Sequence, residues 1–254
     1  MHAPSADCLP DFPGGLTNGH LLGGRVKYAQ PREGLRAAID PILLAAAIPA
    51  RPGERVLEGG TGAGAALLCL AARVAGIEGV GIDRDPGLLR LARGNAAANG
   101  WRDLHFAAAD LAASPIGGSF DHAFANPPYH AAGGTRSPLA KREEAKRSAP
   151  GLLPVWVNAL AGPLRHRGTL TFILPTRLLG AAIAAMQDRQ VPVECVSPIW
   201  PRAGQPARLV LIQGRKQGRS PLVLTAGLTL HTQSGAFRPE AEAVLRGGAG
   251  LQLT

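Results

Sequence analysis

The sequence predicts an α/β fold, a largely parallel sheet with helices on both faces, and three features predict it. From Gly53 onward short β-type runs alternate with helical ones. A glycine-rich turn lies directly between the first of these strands and the first of these helices. The last two strand-like runs have no helix between them, so a hairpin closes the sheet and one strand runs antiparallel.

The elements follow in order. Arg55-Val-Leu-Glu58 is a strand, and the turn after it opens a helix from about Ala63 to Ala75. Val80-Gly-Ile-Asp83 is the second strand. Pro86, a favoured first-turn residue, opens the next helix, and Asn99-Gly100 is a C-cap pair that ends it. Leu104–Ala107 and His122–Ala125 are the third and fourth strands. Gly151–Arg165 is helical, Thr169–Leu174 is a strong fifth strand, and Arg177–Gln190 is helical again. Val193–Ile199 and Arg208–Gln213 form the closing hairpin. Ahead of Gly53 only Leu35–Ala47 is helix-like. Arg136–Ser148 is charged and poorly periodic, a loop or short surface helix. Past Ser220, Leu222–Leu224 is strand-like and Pro239–Leu245 helical. These features divide the chain into a Pro/Gly-rich, loosely ordered tail (1–24), one domain (25–219) and an extension of that domain (220–254).

Composition sets limits on function. The chain has 254 residues, enough for one substantial core, and 46% hydrophobic against 18% charged residues marks a globular chain rather than a disordered one. No apolar run approaches the roughly 18 residues of a membrane span. Residues 1–24 lack the basic start and apolar stretch of a secretory signal, so a cytoplasmic location is expected. Cys8, Cys69 and Cys195 are scattered, which argues against a disulfide framework, and His105, His122, His130 and His166 lack metal-ligand spacing. No metal is expected. The net charge of +9 suits a polyanion, nucleic acid above all; an Arg-, Ala- and Gly-rich composition is the plainer source of the same excess.

Glu58-Gly-Gly-Thr-Gly-Ala-Gly64 follows a strand and opens a helix, where ligands sit in open α/β sheets. Gly60 and Gly62 let the backbone approach a ligand closely. Asp83 ends the second strand, where a carboxylate can accept both hydroxyls of a ribose. Thus far Gly60-x-Gly62-x-x-Ala65 also fits a dinucleotide fingerprint. Two details favour S-adenosylmethionine (SAM) instead. Glu58 suits a cationic amino-acid moiety and would be misplaced beside a pyrophosphate. In Asp110-Leu111, just past the third strand, the carboxylate can accept from an adenine amino group.

Asn126-Pro127-Pro128-Tyr129 directly follows the fourth strand. An amino group on a conjugated ring or amide is a poor nucleophile, because its lone pair is delocalised. The Asn126 side-chain oxygen and a neighbouring backbone carbonyl can each accept one N–H, turning the lone pair towards a sulfonium methyl. Two prolines hold those acceptors in place beforehand. Tyr129 offers a face on which a planar base stacks.

In order and spacing, Glu58–Gly64, Asp83, Asp110 and Asn126–Tyr129 resemble the motifs of class I, Rossmann-like amino-methyltransferases, over about residues 25–213. The resemblance implies a seven-stranded sheet with the last strand antiparallel. It also implies ribose at Asp83, adenine near Asp110 and the target amine at Asn126. Gly24–Pro31 followed by Arg36–Leu44 resembles, more narrowly, the opening segment of bacterial tRNA1(Val) adenine-37 N6-methyltransferases. There a basic ribbon precedes a helix that borders the SAM site, and this places Asp40 near the cofactor. The Asn-Pro-Pro-Tyr motif also serves guanine N2 and the glutamine amide of release factors. Glutamine enzymes of this type carry a helical N-terminal domain, whereas the residues before Gly53 are few and only Leu35–Ala47 is helix-like, which disfavours that reading; a non-catalytic SAM- or RNA-binding module is the further alternative. The expectation is adenine N6 of RNA, tRNA in particular, with Arg25, Lys27, Arg32 and Arg36, and Arg136, Lys141, Arg142, Lys146 and Arg147, as candidate RNA contacts.

Overall fold

The computed structural model describes Phe12 and residues 14–33, 39–113, 116–128 and 151–253. The chain opens with an antiparallel hairpin of β1 (Leu16–Leu21) and β2 (Val26–Pro31). After α1 (Asp40–Ala47) it alternates through β3 (Arg55–Gly59), α2 (Ala65–Arg73), β4 (Glu78–Asp83), α3 (Pro86–Ala98), β5 (Leu104–Ala108) and β6 (Phe120–Ala125). Next come α4 (Leu152–Ala161), β7 (Leu164–Pro175), α5 (Leu179–Asp188), β8 (Val193–Arg202) and β9 (Leu209–Arg215). Two short strands, β10 (Val223–Leu224) and β11 (Leu228–His231), and α6 (Pro239–Leu245) complete the described chain.

Seven strands lie in the order β8-β9-β7-β6-β3-β4-β5, with β9 antiparallel to both neighbours. This is the seven-stranded sheet expected, closed by its hairpin. The outer side of β8 carries two more strands, β10 at Cys195–Val196 and β11 at Ile199–Arg202. The break between them falls at Pro198, which has no N–H to give a neighbour.

Alternation along the strands fills two cores. Val56, Phe124, Ile173 and Leu211 point into the layer of α1, α2, α3 and α6. Leu57, Phe172, Leu174 and Ile212 point into the layer of α4 and α5. Continuous apolar runs in the middle strands follow, since both faces are covered.

Two readings change. Leu16–Leu21, placed within a loose tail, is a strand: polar Asn18, Gly19 and His20 are exposed, so no apolar alternation marked it. The segment 220–254 adds β10, β11 and α6, where β11 carried no predicted strand. Arg25 is exposed, and its Nη1 donates to the Gly247 carbonyl at 2.6 Å and its Nη2 to that of Ala72 at 3.5 Å. The 136–147 cluster, Arg36, Cys8 and His130 lie outside the described residues.

Candidate active site

Strand order brings the predicted site residues to one edge. Glu58 is level with Gly81 on β4 and with Phe124 on β6, and Asp83 is level with Ala108 on β5. Asp110, Asp83, Glu58–Gly60 and Asn126–Pro128 therefore follow one another along the carboxyl ends of β5, β4, β3 and β6. Past this edge α2 packs on one face of the sheet and α4, the next described helix after β6, on the other, the arrangement in which ligands of open α/β sheets sit.

The turn after β3 is built on left-handed glycines, with φ of 66° at Gly60, 55° at Gly62 and 90° at Gly64. Neighbouring strands fix it. The Thr61 amide donates to the Ile82 carbonyl at 2.9 Å, and the Gly62 amide to Asp83 Oδ2 at 2.9 Å. Asp83 Oδ1 accepts from the Asp85 amide at 2.9 Å. The half-buried Asp83 carboxylate keeps further lone pairs for a ligand.

Glu58 is buried inside this turn. Its Oε2 accepts from Thr61 Oγ1 at 2.6 Å and from the Leu67 amide at 3.2 Å, in the first turn of α2. Burial pushes its carboxyl up to about 8, against these two hydrogen bonds, and the nearby Asp83 charge adds to the rise. Glu58 thus braces the glycine turn, whatever charge it also presents to a ligand.

A side chain that the sequence reading missed covers the turn. A Cβ at Gly60 would lie 2.4 Å from the Trp156 ring, so the α4 indole rests on the bare backbone there. Leu111 and Leu160 close over Gly59 in the same way, each 3.1 Å from the position of a Cβ. A Cβ at Gly62 would meet nothing within 4 Å. The scarcity of aromatics (4%) was the only available signal for Trp156. Asn95 was also missed: buried on α3, it donates to the Ala63 carbonyl of the turn at 3.0 Å.

The remaining predicted residues differ in setting. Asp110 is exposed, and its Oδ1 accepts from the Ala112 amide at 2.9 Å, holding the start of the β5–β6 loop that carries Leu111. Asn126 and Pro128 are half-buried and Pro127 is buried. Among the described residues, none engages the Asn126 side-chain amide. Tyr129 lies outside the described residues. Asp40 is the first residue of α1 and is half-buried. His122 belongs to the opposite edge, where Nδ1 lies 2.7 Å from Thr169 Oγ1 and Nε2 2.9 Å from Glu54 Oε2.

The donor set decides what the crevice can hold. Residues 58–67 include no lysine or arginine, and three carboxylates flank the turn. A pyrophosphate would find no cation there and would lie beside the Asp83 and Asp110 carboxylates. A ligand with a cationic amino-acid end, a ribose and an adenine finds an acceptor for each, beside open space at Gly62. SAM is such a ligand. Among the described residues no group of His, Cys, Asp and Glu is placed to hold a metal ion, and no helix is long and apolar enough to cross a membrane.

Comparison with known proteins agrees. Residues 39–148 match the family described as the methyltransferase small domain. A tRNA1(Val) (adenine(37)-N6)-methyltransferase of Actinobacillus succinogenes is 33% identical over 145 residues, 56% of this chain and 61% of that protein, so the match spans less than two thirds of the relative. The enzyme of the same name from Aeromonas salmonicida is 29% identical over 80% of this chain and 85% of its own length. A solved structure from Agrobacterium tumefaciens, described as a predicted O-methyltransferase, superposes with a TM-score of 0.70 at 25% identity, over 84% of this chain and 98% of that one. The chain is thus similar to methyltransferases in sequence over residues 39–148 and in its Rossmann-like fold over most of its length.

Proposed function

We propose that this chain transfers a methyl group from SAM to the exocyclic N6 of an adenine in tRNA. One observation carries the reading: the Asn126 amide, unengaged among the described residues and followed by Pro127 and Pro128 at the end of β6, beside the glycine turn after β3. The names of the two relatives, both tRNA adenine-N6 enzymes, support the choice of acceptor, as does the charge of +9. Acting on tRNA would place the protein in the cytoplasm.

SAM supplies an electrophilic methyl group on a sulfonium. The work of the chain is to hold and aim. Asp83 binds the ribose hydroxyls, Asp110 and Leu111 bind at the adenine, and Gly60 and Gly62 admit the ligand to the backbone. The Asn126 side-chain oxygen accepts one N6–H and the Pro127 carbonyl the other, which localises the nitrogen lone pair. Tyr129 stacks on the base. The N6 lone pair would form the new C–N bond as the methyl–sulfur bond breaks and its electron pair returns to sulfur, releasing S-adenosylhomocysteine, and the cationic amine would then lose its proton to water. No side-chain base is required. Preorganised acceptors of this kind are worth about 10²–10³ in rate.

The test is methyl transfer from labelled SAM into tRNA lacking the modification, with nucleoside analysis. N6-methyladenosine is expected from the wild type, with a loss of about 10²–10³ in kcat for Asn126→Ala and an unchanged melting temperature. Label in guanosine or in the glutamine of a release factor would overturn the acceptor. Turnover that survives Asn126→Ala would overturn the mechanism.

A further inference from the structure

Beyond the site itself, we propose that the tip of the β8–β9 hairpin is an RNA-docking ridge that grips backbone phosphates beside the adenine held at Asn126. The inference rests on the reading of the acceptor as RNA. Register places the ridge. Ala125, the last residue of β6, is level with Phe172 of β7, and three residues further along β7 Pro175 pairs with Leu209 of β9. Arg208 therefore lies past the same carboxyl edge at which β6 gives way to Asn126. Two strand spacings, about 10 Å, separate it from the β6 strand. Leu209 is level with Ile199 on β8, so Arg202 projects further past the same edge, about one strand spacing beyond Arg208.

The tip is built to hold its shape. Pro201 and Pro206 fix φ on either side of it, Gly204 takes φ 77°, and the Gln205 amide returns to the Arg202 carbonyl at 3.2 Å. Thr176 ties it to the end of β7, its amide donating to the Arg208 carbonyl at 3.1 Å and its hydroxyl to that of Ala207 at 3.2 Å. Both arginine residues are exposed.

Their electrostatics differ from those of several arginines at the opposite edge of the sheet. At the opposite edge Arg55 pairs with Glu78, Arg165 with Glu54 and Asp121, and Arg215 with Glu194. Among the described residues neither Arg202 nor Arg208 has a carboxylate partner. Two exposed guanidinium groups on a braced tip, at the sheet edge from which the loop of the target base leaves, suit phosphates on either side of a base turned out of its stack. A phosphate track also asks for no base-specific contact, and the tip supplies none beyond charge.

The experiment uses the full chain, wild type and Arg202→Ala/Arg208→Ala, with tRNA binding measured by filter retention from 50 to 300 mM salt. SAM affinity is measured in parallel by calorimetry. Each lost phosphate contact should weaken tRNA binding about five-fold near 0.15 M salt, and the pair should lower the salt slope by about one to two. SAM affinity should stay within two-fold. Arg202→Lys/Arg208→Lys should restore most of the tRNA affinity, which a packing role for the tip would not allow. Affinity and slope both at wild-type values in the double alanine variant would overturn the ridge while leaving adenine methylation intact. A wild type that binds no tRNA and methylates only a protein would overturn the acceptor and the ridge together. Weakened transfer to a protein acceptor alone would make the tip a peptide surface.

Discussion

Glu58 shows how one side chain can serve the fold before it serves a ligand. Its Oε2 is committed to Thr61 and the Leu67 amide, and burial holds its carboxyl up near 8. A raised folded-state pKa means that the folded chain holds the proton more tightly than the unfolded chain. The stability from this group is therefore fully present below the ordinary carboxylate value of 4.5 and is withdrawn as pH rises to about 8. Glu58→Gln keeps an acceptor oxygen without the charge. Without SAM, its melting temperature relative to wild type should rise steadily between pH 5 and 8.5; parallel melting curves would show that Glu58 carries no such penalty. Gly60 and Gly62 separate two other costs at the same scale. Alanine at either position strains a left-handed backbone by roughly 1–2 kcal/mol. At Gly60 the new Cβ also strikes the Trp156 ring, whereas at Gly62 it enters open space. Chemical denaturation should find Gly60→Ala the less stable of the two, and Gly60→Ala/Trp156→Leu should recover part of the difference. Equal stabilities would mean that the indole yields freely.

The N-terminal hairpin is an element held by side chains that copy a strand. Asn95 on α3 and Asn99, which caps its C-terminal end, are one helical turn apart, about 6 Å along the axis, close to the two-residue repeat of a β-strand. The Asn95 amide accepts from the Ala29 N–H at 2.8 Å and donates to the Ala29 carbonyl at 2.9 Å, and Asn99 does the same for Lys27 at 2.9 and 2.8 Å. Asn95 alone reaches on to Ala63 in the glycine turn. Asn99→Ala should cost about 1 kcal/mol, since water can replace it, and should speed hydrogen exchange only across residues 26–31. Asn95→Ala leaves buried groups unpaired, costs on the order of 3 kcal/mol, and should also loosen residues 60–67. Exchange confined to the hairpin in both variants would remove the link. This element also shows what the sequence could convey. The β3–β9 run was legible because covered strands are apolar and their turns carry Gly, Asp and Asn. The β1 strand was not, because its partner is a hairpin mate and its side chains face water. The site acids and Asn126 were legible through their position after strands. Trp156 and Asn95 were not, because each acts across the fold on a residue far away in sequence.

At the scale of the whole molecule, the two edges of the sheet are differently charged and the C-terminal segment closes the structure. The amino edge balances its arginines with Glu54, Glu78 and Asp121, whereas the carboxyl edge gathers the acids of the ligand crevice beside the cations of the hairpin tip. Stability is distributed less evenly than the order of the elements implies. Residues 220–253 bury Leu228, Leu230, Val244, Leu245 and Leu253. The Leu251 amide donates to the Ala46 carbonyl at 2.8 Å, the Leu253 carbonyl accepts from Cys195, and the Gly247 carbonyl receives Arg25. Five large side chains at about 1.5–3 kcal/mol each contribute as much as the entire net stability of a typical domain, about 5–15 kcal/mol. Removing them also bares the outer edge of β8, a template for pairing with other chains. A chain ending at Arg219 keeps every candidate site residue, yet it should lose the cooperative unfolding transition, bind a hydrophobic dye and aggregate. A soluble product that melts within a few degrees of the full chain would show that residues 220–254 are an appendage, and that β3–β9 with the hairpin hold the crevice unaided.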